Sequence, residues 1–142
     1  MDTNHAMIGM ALPARVVEFL QHPYVATLAT VSPRGRPQAT PVWFLFEDGH
    51  FLINSSRGRV KVRNMDANPH VALTVVDPAD PDTYVQVTGK VIRVDWEHGA
   101  RDINRLSLRY RRRPFVYSPG DGPAKRVSFH IQPIRVVSEG LE

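Results

Sequence analysis

The sequence contains no cysteine among its 142 residues. This absence removes disulfide frameworks, thiol nucleophiles and cysteine-ligated zinc together, and it suits a reducing compartment. A cytoplasmic location is the expectation. Long hydrophobic runs are missing too. The apolar stretch Ala6 to Leu12 is too short to span a bilayer and has no basic flank before it, so residues 1–12 read as a loose N-terminal arm rather than a signal segment. No membrane association is expected.

Several catalytic signatures are absent as well. No glycine-x-serine-x-glycine elbow, Walker loop or Rossmann glycine fingerprint occurs. Histidines stand at positions 5, 22, 50, 70, 98 and 130, with no i, i+4 pair. A metal site would therefore need assembly wholly from tertiary structure, and none is expected. No residue stands out as a catalytic acid, base or nucleophile. An enzyme built this way takes its chemistry from a cofactor.

What is present is an ordinary single-domain composition, 42% hydrophobic and 23% charged. The domain is expected over residues 13–142. The net charge is +4, with a sequence pI near 9.8. That charge gathers in Arg57, Arg59, Lys61 and Arg63, and again in Arg105, Arg109 and Arg111 to Arg113, with Lys125 and Arg126 beyond. Compact clusters suit a small polyanionic ligand at least as well as a duplex, and no nucleic-acid-binding motif accompanies them.

The periodicities predict mainly β structure with short helices. Pro13 opens a helix to about Gln21. Strands follow at about Tyr24–Val31, Gln38–Phe46 and Phe51–Ser55, separated by the turns Ser32-Pro33-Arg34-Gly35 and Glu47-Asp48-Gly49-His50. A short amphipathic helix carrying Val62 and Met65 stops before Pro69. Val71–Val76 is almost continuously apolar and predicts a strand buried on both faces. An acidic proline-rich loop leads into a long strand, Tyr84–Val94, with Gly89 as a bulge candidate. A helix from Glu97 to about Tyr110, an arginine-, proline- and glycine-rich loop and a strand over Arg126–Val137 complete the chain. Six meander-connected strands point to a closed or partly closed antiparallel barrel.

The segment Asn54-Ser55-Ser56-Arg57-Gly58-Arg59-Val60-Lys61 lies where a strand gives way to a helix. Hydroxyls, a permissive glycine and free N–H groups at a helix start make an anion pocket, and arginine suits bidentate phosphate contact. A solvated basic helix face fits the same residues.

Gly35-Arg36-Pro37-Gln38-Ala39-Thr40-Pro41-Val42-Trp43-Phe44, then Lys61-Val62-Arg63-Asn64-Met65 and Asn68-Pro69-His70-Val71, resemble the pyridoxamine 5′-phosphate oxidase-like superfamily. Within it the sequence is most similar to the deazaflavin-dependent (coenzyme F420) reductases, over roughly residues 13 to 137. The resemblance implies a six-stranded antiparallel split β-barrel, a homodimer, and cofactor clefts between the subunits. It implies that Lys61 and Arg59 hold the cofactor phosphate, with Ser55, Ser56 and Arg57 helping. Pro41, Val42 and Trp43 would lie along the ring, with Asn54 and Gln86 facing the cofactor. The Arg105–Arg113 cluster would come from the second subunit or frame the cleft mouth, where its charge suits an acidic cofactor tail.

The implied activity is hydride transfer from reduced coenzyme F420 to a small organic acceptor. An FMN-binding oxidoreductase on the same fold, or a non-catalytic flavin- or deazaflavin-binding protein, are the alternatives. Pyridoxamine phosphate oxidases proper carry a further C-terminal substrate-gripping segment. None follows Val137 here, so vitamin B6 oxidation is not expected.

Overall fold

The computed structural model describes residues 5–8, as backbone only, and 11–141. The N-terminal arm expected to be loose instead contains a strand over His5–Ile8 that pairs with the last strand of the chain, and residues 1–4 and 9–10 lie outside the described residues. Eight strands and three helices follow in the order β1 (His5–Ile8), α1 (Ala14–Phe19), β2 (Ala26–Val31), β3 (Pro37–Val42), β4 (Leu45–Glu47), β5 (His50–Ser56), α2 (Val60–Ala67), β6 (His70–Asp77), β7 (Asp80–Asp95), α3 (Gly99–Arg111) and β8 (Arg126–Glu139). A 3-10 turn, Pro123–Lys125, precedes β8.

The strands pair antiparallel in the order β3-β2-β6-β7-β8-β5-β4, and β1 pairs with β8. The single strand expected over Gln38–Phe46 is broken into β3 and β4 at Trp43 and Phe44. These two pieces form opposite ends of the hydrogen-bonded path, so the chain itself bridges the sheet's two edges at that corner. Counting them as one, and leaving β1 aside, gives the six strands of a split barrel that is not closed by hydrogen bonds.

Side chains facing inward from these strands make one core, with Phe44, Phe51, Phe129, Leu28, Leu73 and Ile131 fully buried. Val62 and Met65 of α2 join it, as their three-residue spacing predicts. On α1, Val16, Phe19 and Leu20 are buried. A smaller cluster of Leu52, Ile103 and Leu106 seats α3 on the outside of β5.

Two strand expectations are corrected. β6 alternates: Val71, Leu73 and Val75 are buried, Ala72 and Thr74 half-buried, and Val76 exposed. The strand is flanked on both edges by β2 and β7, but its outer face is only partly covered within the chain. The irregularity near Gly89 puts the extra residue on the partner strand, since Thr88 and Gly89 oppose Arg135 and Pro133. Gly89 serves close approach instead, because a Cβ there would meet Ile131 Cγ2 at 2.6 Å. A second irregularity inserts Ile92 into β7.

Candidate cofactor cleft

An open cleft of about 370 Å3 lies where β3, the end of β5, the start of α2, α3 and the start of β8 converge. One wall is apolar, made by Val25, Pro41, Val42, Trp43, Ile103, Leu106 and Phe115. The other is polar and cationic, made by Asn54, Ser55, Ser56, Arg59, Lys61 and Arg126. Eight of the ten residues expected at the site therefore meet in one place.

The cationic wall is incompletely neutralised. Neither Arg59 nor Lys61 has a carboxylate within ion-pair distance among the described residues. Burial, then the charges of Arg59 and Arg126, push the Lys61 ammonium below its ordinary value. Three cations converging on one corner repel each other unless an anion joins them. Ser55 adds a hydroxyl with no partner among the described residues. The first N–H groups of α2 lack intrahelical acceptors by geometry and sit between Arg59 and Lys61.

Arg126 was not foreseen as a site residue. It is 7% exposed, and its Nε donates to Asn54 Oδ1 at 2.9 Å while Nη1 donates to Asp121 Oδ2 at 3.3 Å. Its guanidinium also lies 5.1 Å from the Phe115 ring centroid. Burial lowers its pKa most, and Asp121 works against that shift. In the sequence it was simply one charge of the Lys125-Arg126 pair. Only the pairing of β8 with β5, which sets Arg126 opposite Ser56, turns it into the cleft.

Four expectations change. The Asn54 amide is fully occupied, since Nδ2 donates to Gly99 O at 2.9 Å and Ser128 Oγ at 3.0 Å while Oδ1 accepts from Arg126. It holds the site rather than offering a free group to a ligand. Arg57 is exposed, with its guanidinium 4.9 Å from the Trp96 ring centroid, and does not line the cleft. Gln86 points to the exposed outer face of β7, opposite the buried Val85 and Val87. The register of β7 explains this, because residues two apart share a face and the core takes the odd-numbered ones there.

The arginine cluster is the fourth. Arg105 binds Glu47 at 2.7 and 2.9 Å, and Arg109 donates to the carbonyls of Leu20, Gln21 and His22 at 3.2, 3.1 and 2.7 Å. Both are committed to holding α3 against the barrel. Arg111 alone of this group contacts a cleft residue, 5.5 Å from the Trp43 ring centroid. That indole stacks on Tyr110 at 5.3 Å and 10°. The Tyr110 hydroxyl donates to Tyr24 O at 2.7 Å and accepts from Phe44 N at 3.2 Å, so it pins the corner between β3 and β4. Trp43 is thus a fixed wall.

Asp95, Asp102 and His130 bring ligand-type atoms within 4.8 Å of one another, His130 joining the two aspartates from the last strand. Asp95 pairs with His98 at 2.8 Å and Arg93 at 3.2 Å. Asp102 pairs with Arg101 at 3.1 Å and Arg105 at 3.4 Å and accepts from Ser128 Oγ at 2.7 Å. A dication there would face three guanidiniums and carboxylates already bonded, so the cluster reads as an ion-pair network that supports α3.

The pyridoxamine 5′-phosphate oxidase family model matches residues 12–138, nearly the whole chain. The chain belongs to this family. Among solved structures, an F420 reductase is similar at 32% identity and a TM-score of 0.78, covering 88% of this chain and 98% of that one. A conserved hypothetical protein of Mycobacterium tuberculosis is similar at 25% identity and a TM-score of 0.70, over 93% of this chain and 86% of that one. A putative pyridoxamine 5′-phosphate oxidase of Listeria innocua shares the fold, at 22% identity and a TM-score of 0.62, over 87% of this chain and 91% of that one. No curated protein is a significant sequence match. These likenesses uphold the resemblance to the split-barrel superfamily and its deazaflavin-reductase group. They place this pyridoxamine 5′-phosphate oxidase family member among flavin-type oxidoreductases.

Proposed function

We propose that the cleft holds reduced coenzyme F420 and presents it to a small organic acceptor for hydride transfer. The observation that carries this reading is the cation cluster of Arg59, Lys61 and Arg126 at one end of an apolar-walled cleft, with Arg59 and Lys61 lacking a carboxylate partner among the described residues. The donor set fits a phosphate: two free cationic side chains, a free hydroxyl and the N–H groups of a helix start. When bound, the cofactor supplies a hydride donor.

The chain's own residues bind and orient. Arg59, Lys61 and Ser55 grip the phosphate end, while Pro41, Val42 and Trp43 give the ring a flat apolar wall. Ile103, Leu106 and Phe115 extend the same apolar wall and help keep water out of the cleft. Positioning of this kind removes much of the orientational cost of bringing two reactants together.

FMN fits the same grip, and one observation favours it as a second reading. Arg105 and Arg109, which would have favoured a longer acidic tail, are occupied by Glu47 and by the carbonyls that follow α1. Purification without added cofactor, followed by mass spectrometry of the co-purifying small molecule, decides between the two. Anaerobic turnover with quinone-type and other organic acceptors separates an enzyme from a cofactor carrier. Recovery of neither cofactor, with no binding of either in fluorescence titrations, would remove the proposal.

The working unit in this reading is a homodimer. Ile92, Val94 and Trp96 are exposed apolar residues at and just beyond the end of β7, with Ile92 52% exposed, while Gln86, Thr88 and Lys90 are exposed polar residues earlier in the strand. A second copy of the chain would cover these apolar side chains. Sedimentation equilibrium at micromolar concentration checks this, and a stable 16.0 kDa monomer would refute it.

A further inference from the structure

Asp121 bridges two residues of the cationic wall. Its Oδ1 accepts from Ser56 Oγ at 2.9 Å and its Oδ2 from Arg126 Nη1 at 3.3 Å. Both donors line the cleft beside Arg59 and Lys61. Asp121 therefore receives, with two carboxylate oxygens, the kind of hydroxyl and guanidinium donation that a phosphate takes with its own. While it does so, the Ser56 hydroxyl proton points at Asp121 and is withheld from any ligand.

The segment that carries Asp121 is weakly tied elsewhere. Residues 114–118 have no regular structure, and Val116 is 71% exposed. Asp121 N donates to Ser118 O and Lys125 Nζ to Gly120 O, which are bonds internal to the segment. Phe115 is fixed from the other side, where its N–H donates to Asn104 Oδ1 at 3.0 Å, and its ring stands in the cleft wall. Between Phe115 and the 3-10 turn, the hydrogen bonds to the barrel among the described residues are those of Asp121, while Tyr117 packs on Phe115 within the loop.

Arg126, by contrast, is held from behind by a chain of bonds that does not involve Asp121. Asn54 accepts from Arg126 and donates to Ser128, and Ser128 donates to the buried Asp102. The guanidinium therefore stays in place if Asp121 leaves.

We propose that Asp121 is a specificity-determining residue, an internal anion that a ligand's phosphate displaces from Ser56 and Arg126, freeing the 116–122 segment as it binds. This rests on the reading of the cleft as a phosphate-bearing cofactor site. Ligands without a strong anion leave Asp121 in place and lose its two donors. A phosphorylated ligand takes over both, and the released segment opens the side of the cleft next to Phe115.

The test uses the full chain and four probes in fluorescence titrations: FMN, riboflavin, coenzyme F420 and its phosphate-free deazaflavin chromophore. Asp121→Asn keeps size and shape while removing the competing charge, and Asp121→Ala removes the side chain; thermal melts confirm that each variant folds. Both variants should bind the phosphorylated probes tighter by roughly tenfold, the scale of one charge-assisted hydrogen bond, and the phosphate-free probes unchanged. In the parent, amide exchange across 116–122 should become faster on saturation with the phosphorylated probe that binds.

If Asp121 merely orients Arg126, both variants weaken phosphorylated-probe binding, and the inference is overturned. Lys61→Ala separates the two levels. Should it weaken binding while Asp121→Asn does not strengthen it, the cleft reading stands and this inference falls. Phosphorylated probes that ignore Lys61→Ala, or that do not bind the parent, remove both.

Discussion

Arg126 Nε donates to Asn54 Oδ1 at 2.9 Å, a diagonal contact between β8 and β5 that joins a cleft cation to a fully bonded amide. The amide is the hinge of a relay running from Arg126 through Asn54 and Ser128 to Asp102, whose side chain is buried at the foot of α3. Asn54→Ala would leave Arg126 Nε and Gly99 O without these partners. A buried group left unsatisfied costs about 1–3 kcal/mol, so a loss of that size in urea denaturation is expected, together with weaker cofactor binding. Binding that is unchanged in a folded Asn54→Ala protein would show that Arg126 needs no positioning.

Lys61 is half-buried beside other cations. Its charged form is disfavoured in the folded chain, first by burial and then by Arg59 and Arg126. Because the folded-state pKa lies below the ordinary 10.5, the penalty is present below that value and removing the charge relieves it. Lys61→Ala should therefore keep or raise the Tm while weakening cofactor binding by about 1.5–3 kcal/mol, or roughly ten- to a hundredfold. In the parent, affinity should fall as pH rises through the depressed Lys61 pKa, and in Lys61→Ala this dependence should vanish. Titrations between about pH 7 and 10.5 make the comparison.

Gly99 begins α3 where no side chain fits. A Cβ there would stand 2.1 Å from Arg126 O and 2.8 Å from Val127 N, both backbone atoms. Gly99→Ala must lift the helix start off β8, which also displaces the carbonyl that accepts from Asn54. Overpacking against backbone costs about 1–3 kcal/mol or more. A Tm within one degree of the parent would contradict the packing described. Cofactor affinity should fall with stability here, unlike in Lys61→Ala.

His130 and His50 share a 2.9 Å hydrogen bond between ring nitrogens, which needs at least one ring neutral. Burial, then His50 and Arg93, lower the His130 pKa below 6.5. The unfolded chain thus binds the proton more readily, so this contribution to stability is full above about pH 6.5 and declines as pH falls toward the folded-state pKa. Asp95 and Asp121, both shifted down, add their losses only below their ordinary 3.8. Between pH 7 and 5 the Tm should drop, and His130→Gln should flatten that drop. An equal slope in both proteins would assign it elsewhere.

How much of the site was legible follows from how local each feature is. Ser55, Ser56, Arg59 and Lys61 lie within seven consecutive positions at a strand-to-helix junction, so sequence order alone brings them together. Pro41, Val42 and Trp43 came from a motif, and β3 delivers them to the same cleft. Arg57 sits inside the same basic run, yet it stacks on Trp96, because within a turn neighbouring side chains diverge. The run Arg105 to Arg113 looked alike from end to end in sequence, and the structure gives its members separate work. Arg105 binds Glu47, Arg109 binds the end of α1, and Arg111 overlies Trp43.

From Pro13 onward, the sequence by itself determined the element types, their order and the basic strand-to-helix junction, because these depend on residues within a few positions of each other. Alternation sets a strand, three-residue spacing sets a helix face, and proline and glycine set the turns. Only the tertiary structure decided that Trp43 and Phe44 break one strand to bridge the sheet edges, that Arg126 joins the cleft, that Asn54 is a brace and that Asp121 occupies the donors beside it. The first of these is held by Tyr110 of α3, and the others depend on the register between β5 and β8 or on a loop returning from α3, over 65 residues or more of chain. A shift of one residue in that register would turn Arg126 to the opposite face without changing any local pattern.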